Sequence, residues 1–87
     1  MNEAELAGRT ARLPEIFADR LPAGDLAGLR SMARGGEWDE LLDLLIAALR
    51  VTRAPISEQE RDQLQAALSD WGMPTTQLEE LIVRADG

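Results

Sequence analysis

Between Glu37 and Arg53 the chain carries Trp38, Leu41, Leu42, Leu44, Leu45, Ile46, Leu49 and Val51. On a helix these positions run round most of the circumference instead of along one stripe. A helix that is apolar on nearly every side has to be enclosed by other elements. The segment is therefore expected to be the central, most buried helix, with the rest of the chain as its cover. Its remaining polar positions, Glu40, Asp43 and Arg50, fall with Ala47 on one line at spacings of three, four and three, which is the strip left to water. Acids in the first turn (Glu37, Asp39, Glu40) and arginines in the last (Arg50, Arg53) oppose the partial charges of the helix ends. Residues 41–49 form the longest apolar run, broken by Asp43 and far short of the ~20 residues that cross a membrane.

The covering elements follow the same period. Leu64, Ala67, Leu68 and Trp71 repeat at helical spacing, as do Leu78, Leu81, Ile82 and Ala85. Ser57 followed by Glu60 predicts a capping box, entered through an extended residue before Pro55. Thr76 and Glu79 predict the same start for a last helix, after a break at Gly72-Met73-Pro74. Upstream, Gly35-Gly36 closes a short helix from about Asp25, which serves as its cap, with Leu26, Leu29, Met32 and Ala33 inward. Leu6, Leu13, Ile16, Phe17 and Leu21 space a first helix, with a break or kink expected near Pro14. Fourteen leucines and thirteen alanines stand against thirteen Ile, Val, Thr, Phe and Trp together, so helix outweighs strand throughout. The expectation is an all-α protein: a single domain, 1–87, built as a compact bundle of four to five short helices, with no strand and with Trp38 and Trp71 in the core.

Composition then removes classes of function. Sixteen acids against nine arginines and no lysine give a net charge of −7, which opposes direct nucleic-acid binding and adsorption to anionic membranes. Cysteine and histidine are absent, which excludes disulfides, thiolate and imidazole catalysis and the common zinc sites. Ser31, Ser57 and Ser69 have no base of the usual kind to activate them. The carboxylate pairs Asp39/Asp43 and Glu58/Asp62 lie at helical spacing, yet no Asp-rich loop with a central glycine supplies the six or more oxygens a hard cation needs. No glycine-rich phosphate loop is present, since Gly35-Gly36 follows a helix and not a strand. None of the serines stands in the Asp-Ser-Leu context of acyl carrier proteins. The expectation is a protein without enzymatic activity, metal or cofactor. Met1-Asn2-Glu3-Ala4-Glu5 begins no signal sequence, which points to the cytoplasm.

The charge is unevenly placed. Residues 1–36 hold five acids and five arginines, whereas 37–87 hold eleven acids and four arginines, with four of those acids between positions 37 and 43. One reading is that acids solubilise a small leucine-rich bundle. The other is an electrostatic lure for a basic protein, with Glu40 and Asp43 on the exposed strip and Glu58 and Asp62 at the start of the next helix as the contact residues.

The order of motifs is itself informative: a Leu-Pro turn at 21–22, a short helix ending in Gly-Gly-Glu-Trp (35–38), a leucine-rich helix (41–49), Pro-Ile-Ser-Glu-Gln-Glu (55–60), and a helix ending at Trp71-Gly72. Over residues 21–72 this resembles the MafI-type immunity proteins, small all-helical relatives of the CdiI immunity proteins of polymorphic and contact-dependent toxin systems. The chain departs from that pattern at Val51-Thr52-Arg53-Ala54, where such proteins often carry acids. The resemblance implies an inhibitor that binds a cognate toxin C-terminal domain, a basic protein and often a nuclease, and occludes its active site or substrate path. When free, such a protein is a monomer or a homodimer. A standard interface takes ~800 Å² from each partner, about one sixth of the roughly 5,000 Å² expected for a folded chain of this mass. The rival expectation is a small acidic adaptor or oligomerisation module. A third reading is a regulator that mimics the charge of nucleic acid.

Overall fold

The computed structural model describes residues 2–85. Four α-helices make up most of it: α1 (Glu3–Ile16), α2 (Ala23–Arg34), α3 (Trp38–Thr52) and α4 (Glu58–Asp70). Two 3₁₀ turns (Ala18–Arg20 and Thr76–Glu80) and two strands of two residues each, β1 (Ile56–Ser57) and β2 (Val83–Arg84), complete the described chain. The protein is an all-α bundle. Leu41, Leu42, Leu45, Ile46 and Leu49 of α3 are fully enclosed, and they meet Leu13 of α1, Phe17, Leu29 of α2, and Leu64 and Leu68 of α4 in one apolar cluster. Each such side chain contributes about 1.5–3 kcal/mol by leaving water. α2 packs most extensively on α3, and α1 lies against α2, α3 and α4. Among the described residues no helix is long and apolar enough to cross a membrane.

Three helices close in the same way. An amide two or three residues past the last helical residue reaches five residues back: Glu37 N–H to Met32 O (2.9 Å), Ala54 N–H to Leu49 O (3.3 Å) and Met73 N–H to Leu68 O (2.8 Å). This closure puts one residue in the left-handed region. Gly36 and Gly72, both at φ 69°, take it at no steric cost, whereas after α3 the position is held by Arg53 at φ 57°. At the other ends, Asn2 accepts from the Glu5 amide (2.8 Å) to cap α1. The capping box of α4 forms as the sequence predicts, with Ser57 Oγ accepting from Glu60 N–H at 3.0 Å and Glu60 Oε1 accepting from Ser57 N–H at 2.8 Å.

Glu60 does a second job that spacing does not reveal. Its two carboxylate oxygens accept from Arg20 Nη1 and Nη2, both at 2.7 Å. The same guanidinium donates to Pro55 O and Ile16 O (3.2 Å each) and lies 5.0 Å from the centre of the Phe17 ring. One ion pair thus ties the end of α1 and the linker before α4 to the first turn of α4.

Five expectations are corrected. α1 runs through Pro14, which is buried, and ends two residues later instead of breaking there; so close to the end of the helix, the missing proline N–H costs one carbonyl partner. α2 starts at Ala23 behind Pro22, whose φ of −58° leads into it, and Asp25 sits inside the first turn and does not cap it. Val51 is 76% exposed and not part of the buried face. Trp38 and Trp71 are half-buried at the edge of the core. The largest departure is at the C-terminal side. The helix expected from Thr76 is only a 3₁₀ turn, without a side-chain cap, after which the chain is extended. β2 pairs parallel with β1, Ile56 opposite Val83 and Ser57 opposite Arg84, with Ile56 N–H donating to Ile82 O at 2.9 Å. Leu78 and Leu81 are buried as expected, because a spacing of three suits a 3₁₀ turn better than an α-helix. The β-branched pair Ile82-Val83 favours extended backbone beyond it.

Candidate functional site

The turn at Gly35-Gly36 delivers the chain directly into α3, so Glu37, Trp38, Asp39 and Glu40 all lie within its first turn or just before it. The Glu37 side chain folds back over Gly35. Its Oε1 lies 2.8 Å from the point a Cβ at position 35 would occupy, so any other residue there displaces the carboxylate. Trp71, which follows α4, stacks on Trp38 with ring centres 6.1 Å apart and planes inclined by 19°. The Trp71 indole Nε1–H donates to Thr10 Oγ1 (2.8 Å), and the buried Thr10 hydroxyl donates in turn to Leu6 O (2.9 Å). Stack and hydrogen bonds fix the aromatic pair to α1, α3 and the end of α4 together. With Gly36, Glu37, Asp39 and Glu40 the two rings line an open recess of about 300 Å³.

The rim of that recess carries like charges. Glu37, Asp39 and Glu40 are exposed. A hydrogen bond shared with Glu37 pushes the Glu40 carboxyl above its usual range, and the charges of Glu37 and Asp39 add to the effect. Among the described residues the ion pairs are made elsewhere: Arg9 with Asp70, Arg20 with Glu60 and Asp19, Arg30 with Glu15, Arg50 with Glu80, and Arg61 with Asp62. None of them brings a cation to the start of α3. The arrangement offers flat π faces, which attract cations, beside carboxylates that have no counter-ion among the described residues.

Of the four contact residues expected from the sequence, Glu40 and Asp43 lie exposed on the outer strip of α3, and Glu58 and Asp62 lie exposed on the first turns of α4. Asp62 Oδ1 is 3.6 Å from Arg61. α3 and α4 approach each other less closely than either approaches α1. The grouping that forms is Glu40 with Glu37 and Asp39, on one helix start. Glu37 and Trp38 were legible only as a helix start and a core residue, and nothing in the spacing placed Trp71 against Trp38. Among the described residues, no group of three or more acidic side chains is placed to hold a metal ion.

Comparison of the chain with models of known protein families, with curated proteins and with solved structures finds no match in any of the three. The functional reading accordingly rests on the residues themselves.

Proposed function

We propose that this chain is an immunity protein. It binds a cognate polymorphic or contact-dependent toxin C-terminal domain in the cytoplasm and neutralises it by covering the active site or the substrate path. The observation that carries the reading is the start of α3: three carboxylates with no arginine partner among the described residues, one of them proton-affine because of its neighbours, beside a stacked and half-buried tryptophan pair. Tryptophans at the edge of a small core are the anchors interfaces favour, and unpaired acids steer a basic partner into contact. The motif order over residues 21–72 supports the same reading.

The test is titration against the toxin domain encoded directly upstream, with association rates measured at low and moderate salt. A one-to-one complex is expected, and Glu40→Arg with Asp43→Arg should slow association about tenfold or more at low salt, with the gap closing as salt rises. Glu58→Arg with Asp62→Arg reports whether α4 joins the contact. Absence of binding at micromolar concentration would overturn the reading. The adaptor alternative draws on three exposed apolar side chains, Val51, Ile82 and Val83, and predicts self-association in sedimentation in place of toxin binding.

A further inference from the structure

A second recess lies between α1 and α4 and has the opposite character. It measures about 190 Å³. Leu13, Ile16 and Ala67 form its apolar lining, and Arg9, Arg12 and Gln63 its polar edge. Ala67 of α4, 7% exposed, is the smallest side chain on the wall of the recess. Asp70, also at the edge, approaches Arg9 at 3.9 Å. In a chain of net charge −7, Arg12 brings to this edge a guanidinium that none of the described ion pairs includes.

Size and chemistry restrict the occupant. A cavity of ~150 Å³ holds a benzene ring, and sites for drug-sized ligands begin near ~300 Å³. The recess fits one ring or one branched aliphatic group. The guanidinium edge selects an anion, and planar guanidinium matches carboxylate geometry. We propose that this recess binds a small apolar monocarboxylate, seated with its hydrocarbon part against Leu13, Ile16 and Ala67 and its carboxylate toward Arg12. Two sources share that chemistry: a free small acid, and the last residue of a polypeptide ending in an apolar side chain. The site lies apart from the acidic rim and stands whether or not the immunity reading does.

Thr10 lines the recess and accepts the Trp71 indole N–H, which makes that N–H resonance a reporter. Phenylacetate titrated into ¹⁵N-labelled protein should shift it saturably, with a dissociation constant on the order of 1–10 mM for a ligand this small. Phenylacetamide, which keeps the ring and lacks the charge, should bind about tenfold more weakly, and the exposed Arg12→Gln should lose a similar factor. Ala67→Met should abolish the shift by filling the space; should that variant fold poorly, Arg12→Gln and the amide carry the test. An acetylated tripeptide ending in phenylalanine with a free carboxylate distinguishes the sources. Tighter binding than phenylacetate assigns the site to a chain terminus, and exclusion of the peptide assigns it to a free acid. A shift that stays linear with concentration, or equal binding of acid and amide, would overturn the proposal.

Discussion

Replacing Glu60 by glutamine removes the charge that holds Arg20 while keeping the side-chain volume and an oxygen able to accept from the Ser57 amide. The variant therefore isolates the ion pair from the capping box. In the folded protein the paired Arg20 guanidinium, followed by the Ser57 hydrogen bonds, holds the Glu60 carboxyl down to about 2, against the opposing effect of burial. An ordinary glutamate titrates near ~4.3, so the difference corresponds to about 3 kcal/mol favouring the folded state when the group is ionised. The two side chains retain 19% and 21% of their surface in water, and screening reduces the expected loss for Glu60→Gln to about 2 kcal/mol at neutral pH. For a domain of this length that lowers Tm by roughly 8–16 °C. Because the folded carboxyl is the more acidic one, its contribution is complete above the unfolded value. As pH falls from ~4.3 toward about 2 the unfolded chain takes up the proton first and the contribution is lost. Urea unfolding followed by far-ultraviolet circular dichroism, on both proteins between pH 7 and pH 2, should show curves that differ by about 2 kcal/mol above pH ~5 and converge only as pH nears about 2. Glu15, held down by its hydrogen bonds from Arg30, titrates in both proteins and cancels in the difference. Parallel curves across that window would refute the argument that the Arg20–Glu60 pair locks the start of α4.

Two further substitutions test the frame around the recesses. Thr10→Val leaves the Trp71 N–H without its acceptor at a site only 2% exposed and should cost about 1–3 kcal/mol in denaturant unfolding; a change under about 0.5 kcal/mol, the range of neutral surface substitutions, would show that the hydroxyl bridge contributes nothing. Arg53→Gly relieves the left-handed backbone after α3 and should raise stability by up to about 1 kcal/mol, whereas a loss would show that the Arg53 side chain supplies more than its strained backbone removes.

What was legible in the sequence was whatever local periodicity and capping chemistry decide. The enclosed α3, the Ser57–Glu60 box and the closing glycines at 36 and 72 all formed as their residue types demand. The misreadings share one physical cause. At Leu78, Leu81, Ile82 and Ala85 the helical period was genuine, but the ten residues from Thr76 to Ala85 are too few to hold an α-helix in water by themselves, and the strand Ile56–Ser57 offered the following segment a ladder that no local pattern announces. Pro14 read as a breaker because its position relative to the helix end depends on where Phe17 and Arg20 anchor, which is a tertiary matter.

The candidate site was the least legible part for a related reason. Each acid at the start of α3 has a sufficient local explanation, because negative charge there suits the helix dipole, and each tryptophan has one as well, because both pack on the core. Taken singly, none asks for a partner. The structure adds their combination. Arg20, Arg30 and Arg50 each satisfy an acid on another segment, so cross-linking arginines are available to this fold, and none is spent on Glu37, Asp39 or Glu40. A helix dipole accommodates one or two acids; it does not account for a carboxyl pushed above its usual range by its neighbours, nor for two large rings left partly exposed beside it. Folding alone gains little from that grouping, and a basic surface laid across it would relieve the repulsion and cover the rings at once.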